Sequence, residues 1–169
     1  QVARYNVNMT IDSEPDQRPP STVENLTIIA IGYESDDVAN HVANCIFPIV
    51  QEIGRYIDAS TLDGLTIAVD YDLALKDIDR GVPNLKPETR TNDDKLVGVA
   101  KCITVLRGES IKSHIILDAN AFWYLRDASF TSDQVMRATS IIAHEMAHVE
   151  DYANMNAKFP GILLNTSYT

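Results

Sequence analysis

A chain of 169 residues has room for one hydrophobic core and not for two large domains, and its 45% hydrophobic and 22% charged residues match an ordinary globular composition. Mean hydropathy is -0.12 and no apolar run reaches 18 residues, which argues against a membrane span. With 14 basic against 24 acidic residues, the net charge of -10 opposes a phosphate backbone and argues against a nucleic-acid partner.

The chain begins at Gln1, and no basic segment followed by an apolar one precedes the first structured stretch. A processed form or an excised piece is therefore expected, without a signal peptide, and localisation stays unknown beyond an expectation of solubility. Residues 3–11 alternate, with Ala3, Tyr5, Val7, Met9 and Ile11 on one side, which predicts a half-buried strand. Residues 12–21 then carry three prolines and four charges, a linker composition. Residues 1–24 thus read as an arm and linker, belonging to this sheet or to a neighbouring domain or chain, ahead of a main domain at 25–169.

The run Leu26 to Ile31 is continuously apolar, as in a strand covered on both faces. Ser35 is the predicted N-cap of a helix with Asp36 and Asp37 in its first turn. Val38, Val42, Cys45, Ile46, Ile49, Val50, Ile53 and Ile57 form its apolar stripe, and Pro48 is expected to kink or divide it. A turn at Leu62-Asp63-Gly64 leads into a strand over Leu65 to Tyr71, and Arg80 to Asp94 reads as a loop. Val97 to Leu106 and Ser113 to Asp118 are two strands joined through Arg107-Gly108-Glu109-Ser110, most simply as an antiparallel hairpin. A short helical piece is predicted near Asn120 to Arg126. A long helix follows from a capping box at Thr131-Ser132-Asp133-Gln134 to about Asn154. The predicted class is α+β, with a mixed sheet, a backing helix and a long final helix. Cys45 and Cys102, 57 residues apart, match no CxxC spacing, leaving one disulfide or two buried thiols open. Sequons begin at Asn8, Asn25 and Asn165, but 11 asparagines produce one or two by chance, so they do not establish secretion.

The final helix carries the informative motif. Residues 144–148 read HEMAH, and four histidines and eight glutamates placed at random give an H-E-x-x-H match only about 0.004 times per chain. On a helix His144 and His148 lie about 40° and one turn apart, able to place two ring nitrogens on one ion, with Glu145 to one side. Val135, Ala138, Ile142, Met146, Val149 and Ala153 fall on the opposite face, so the helix is expected to bury its back and present its histidines to a cleft. Two imidazoles and a third ligand on zinc leave one position for water, lower its pKa toward about 7 and polarise a carbonyl. Glu145, off the metal, is placed to take the water proton and pass it to the leaving amine.

HExxH on a helix resembles the signature of the zincin metallopeptidases. The order of elements from Leu26 to Asn154 is similar to the zincin N-terminal subdomain: a twisted sheet, a backing helix, an edge strand over the cleft and the active-site helix. The resemblance implies zinc ligation by His144 and His148, Glu145 as general base, a peptide or protein substrate, and a substrate-aligning edge strand near His114 to Asp118. The tetrad NAFW at Asn120 to Trp123 also looks like an edge-strand segment of gluzincins, or begins a short helix here.

The third ligand is not in the family's usual places. Metzincins continue as HExxHxxGxxH, where this sequence has Asp151 and Asn154, and gluzincins use a later glutamate, whereas no Asp, Glu or His follows Asp151. Asp151 lies about 20° from His144 on the helix but about 10.5 Å along it, too far to share one ion unless the helix breaks. It reads equally as a carboxylate steering a ligand histidine or as a solvated acid. The remaining donors are a residue past Thr169, another chain, or water. The 21 residues after His148 are few for a lower zincin subdomain, which favours truncation. His41, Phe122, Trp123 and Tyr124 read as structural, His114 as a possible substrate contact, and Tyr152 as a surface tyrosine or an oxyanion donor. Besides a zinc peptidase, two readings stand: a non-catalytic zincin-like binding or assembly module with an incomplete metal site, and a deformylase-like hydrolase adding a cysteine ligand. Oligomeric state is not legible.

Overall fold

The computed structural model describes residues 2–11, 21–70, 100–107, 110–127 and 129–159. The linker expected over residues 12–21, except Ser21 which begins a strand, the loop at Arg80 to Asp94 and the final ten residues lie outside the described residues. Strands β1 (Val2–Ile11), β2 (Ser21–Ile31), β3 (Thr66–Asp70), β4 (Ala100–Arg107) and β5 (Ser110–Asp118) form one mixed sheet in the order β1-β2-β3-β5-β4. Strands β2, β3 and β5 run parallel at the centre, and β1 and β4 flank them antiparallel. The helices are α1 (Asp36–Gly54), the single turn α2 (Ala59–Leu62) and α3 (Ser132–Lys158), with a short 3-10 helix at Trp123–Arg126. The class is therefore α+β, as the hydrophobic pattern predicts.

The arm belongs to this sheet. Val2 to Val7 pair with Ile31 to Leu26, and Met9 to Ile11 with Val23 to Ser21. Between the two runs β2 has one residue more than β1, a bulge, and Asn25 there adopts φ 60°. Asparagine tolerates this left-handed conformation better than most residues, and its Nδ2 donates to Asp63 Oδ1 at 3.4 Å.

Ser35 caps α1 through its Oγ and the Val38 amide, with Asp36 and Asp37 in the first turn, as expected. Pro48 does not divide α1, which is one helix from Asp36 to Gly54. Pro48 and Asn44 are both exposed, so the carbonyl left without its amide donor sits on the solvent side, where water can satisfy it.

Leu26, Ile28 and Ala30 of β2, Ile67 and Val69 of β3 and Ile115 and Leu117 of β5 share one sheet face. They form one buried cluster with the apolar stripes of α1 and α3, which also touch each other. The helices thus cover a single face, with α1 over β1 and β2 and α3 over β4 and β5. The β4–β5 hairpin is present, and Arg107 pairs with Ser110 across its turn. One expectation is corrected. The strand containing His114 is interior, since β5 lies between β3 and β4, and β4 forms the edge on the side of α3. The NAFW tetrad is not a strand either: Asp118 Oδ1 accepts from the Asn120 amide at 2.8 Å, and a turn passes into the 3-10 helix. No described helix is long and apolar enough to cross a membrane.

Candidate metal centre

The capping box opens α3 as predicted. Thr131 Oγ1 accepts from the Gln134 amide at 3.3 Å while Gln134 Oε1 accepts from the Thr131 amide at 2.8 Å. The helix then runs 27 residues, four beyond the predicted end. Ala138, Ile142, Met146 and Val149 are buried against the sheet and α1, and Val135 and Ala153 are half-buried, which fixes the rotation of the helix.

That rotation leaves His144 exposed and His148 half-buried. The two Nε2 atoms stand 3.2 Å apart, with ring planes at 83°. Two imidazole nitrogens, each about 2.05 Å from one tetrahedral ion, are about 3.3 Å apart. The observed spacing therefore matches that of a pair of ligands to one divalent cation. It also fits a single N–H···N hydrogen bond between the rings, so the same pair has an alternative arrangement without metal.

Glu145, between them in sequence, is buried and only 8% exposed. Its neighbour across the helix–sheet contact is Cys102 of β4, which pairs with Ile115 and so faces α3. Burial pushes the Cys102 thiol up to about 12, the Glu145 carboxylate adds to the shift, and a hydrogen bond with Thr104 opposes it. The nearness of Cys102 to Glu145 is what sequence reasoning missed. It depends on the β4–β5 register and the rotation of α3, and nothing in the one-dimensional spacing carries either.

The other candidates separate. Asp151 is exposed, and among the described residues no group of three or more His, Cys, Asp or Glu side chains is placed to hold a metal. A cysteine third ligand of the deformylase kind is therefore not found among them, and both cysteines are free thiols. Tyr152 stacks on His148 with centroids 6.2 Å apart and planes 27° apart, so it braces the ring. Glu150 accepts from the Asp58 amide at 3.4 Å and ties α3 to the start of α2. His114 is half-buried within β5. Phe122 and Tyr124 are core residues and Trp123 is 56% exposed. His41 lies on α1, with its Nε2 3.2 Å from the Asp127 carbonyl oxygen and 3.6 Å from Cys45 Sγ.

The arrangement combines a paired-imidazole face open to solvent with a buried carboxylate one residue away. Compared with protein-family models, curated proteins and solved structures, the chain finds no match.

Proposed function

We propose that the protein is a zinc-dependent metallopeptidase of zincin type, hydrolysing peptide bonds in peptides or proteins with His144 and His148 as metal ligands and Glu145 as general base. The observation carrying this reading is the 3.2 Å separation of the two Nε2 atoms on a helix whose intervening glutamate is drawn inward. Among the described residues β4 forms the sheet edge beside α3.

A zinc ion on the two imidazoles would supply Lewis acidity and make a water acidic near neutral pH. The chain's own residues then have distinct tasks. The His144 and His148 rings present neutral nitrogens at a fixed spacing, and Tyr152 holds the second ring in orientation. Glu145 accepts a proton from water at its carboxylate oxygens and returns it to the leaving amine nitrogen. Its burial near Cys102 limits competing solvent at the carboxylate.

A second reading, a zincin-like binding or assembly module with an incomplete metal site, rests on the lack of a third side-chain ligand among the described residues. Metal analysis and peptide-cleavage assays with and without chelator separate the two. Stoichiometric zinc with chelator-sensitive cleavage that Glu145→Gln abolishes supports the peptidase. Cleavage that is absent, or unchanged in Glu145→Gln, overturns it in favour of the module.

A further inference from the structure

A second pair of metal-ligating side chains lies on α1, away from the helix that carries the HEMAH motif. His41 and Cys45 are one helical turn apart and flank the buried stripe formed by Val42, Ala43 and Ile46. Both side chains are half-buried, so small solutes can reach them. Cys45 Sγ stands 3.6 Å from His41 Nε2, and the carbonyl oxygen of Asp127 stands 3.2 Å from the same nitrogen.

A sulfur and a carbonyl oxygen therefore both stand within reach of one imidazole nitrogen. A single proton on Nε2 can be directed well at only one of the other two, and sulfur is the poorer acceptor. A cation can bond the sulfur and the nitrogen together. A nitrogen about 2.05 Å and a thiolate sulfur about 2.3 Å from one tetrahedral ion are about 3.6 Å apart, matching the spacing present. A thiolate donor selects soft, thiophilic ions over magnesium or calcium.

We propose that His41 and Cys45, with the Asp127 carbonyl as a third donor, form a binding site for a thiophilic d10 cation of the zinc or copper(I) class, separate from the His144–His148 pair. On binding, the Cys45 thiol proton leaves to solvent and the imidazole proton resides on Nδ1, so that sulfur and Nε2 each donate an electron pair. The site would join α1 to the segment that closes the 3-10 helix, four residues before the cap of α3. The proposal goes beyond the peptidase reading and does not depend on it.

Cadmium(II) is the probe, because its thiolate complexes absorb in the ultraviolet through sulfur-to-metal charge transfer. The full chain carrying His144→Ala and His148→Ala removes the α3 pair, so the outcome is independent of whether that pair binds zinc. Titration should produce a charge-transfer band saturating at one equivalent, together with a raised melting midpoint. Cys45→Ser or Cys45→Ala should abolish the band, His41→Gln should weaken binding by at least roughly tenfold, and Cys102→Ser should leave both intact. Circular dichroism shows that each variant is folded, and having two replacements for Cys45 guards against one that is not. No band in the double-histidine variant, a band surviving removal of Cys45, or unchanged affinity in His41→Gln overturns the site.

Discussion

Glu145 occupies an expensive place for a carboxylate. It is nearly enclosed on the sheet-facing side of α3, and an ionised carboxylate out of water needs a nearby positive charge or strong hydrogen bonds. Glu145→Gln should retain zinc while kcat falls by about 10²- to 10⁴-fold, measured as metal content and peptide cleavage on the same preparation. Cys102 gives a pH signature. Its thiol is held protonated in the fold up to about 12 against an ordinary 9.0 when unfolded. The stability it contributes is complete below pH 9 and declines as pH rises toward 12, because the unfolded chain releases that proton first. Cys102→Ala should therefore lose less stability than the parent between those values in urea melts, and Cys102 should resist a thiol reagent at pH 8 until the chain is denatured. The histidine spacing and the intervening glutamate were legible in five letters, because a helix converts sequence separation into angle. The Cys102 contact was not, because it is set by pairing between residues far apart in the chain.

At the scale of elements, the starts and buried faces of α1 and α3 were legible, their last turns less so. Each has a polar cap, acidic residues in its first turn and an apolar stripe of period 3.6, three cues that agree. Which strand forms the edge was not legible. The stretch Ser113 to Asp118 has the strong apolar character of an interior strand, and the zincin resemblance alone suggested the edge there; pairing with both β3 and β4 places it inside. Pro48, expected to kink or divide α1, does not divide it, and the carbonyl it leaves without an amide donor lies on the solvent side. The bulge in β2 had no expected position, although Asn25 fills it with a residue suited to positive φ. Replacing Asn25 with glycine should be nearly neutral, whereas Asn25→Val should cost about 1–2 kcal/mol, because a β-branched side chain crowds the carbonyl in the left-handed region. Urea unfolding of the two variants side by side checks the difference.

For the molecule as a whole, covering one sheet face with both long helices concentrates the core between them and the sheet. The net charge of -10 governs long-range encounters, and the full chain should show no retention on heparin and no shift of duplex DNA at physiological salt. The last fully enclosed residue of α3 is Val149, and from Glu150 to Lys158 the helix carries only half-buried and exposed positions. His148 therefore stands at the junction between a fully anchored shaft and a last stretch about 13 Å long with lighter burial among the described residues, the overhang. In deuterium uptake, amides from Ile142 to Val149 should be protected to near the global limit and those beyond Tyr152 should label early. Zinc bridging His144 and His148 would clamp the root of that overhang, so labelling just past the junction should slow when metal is added and return to its earlier pace in His148→Ala.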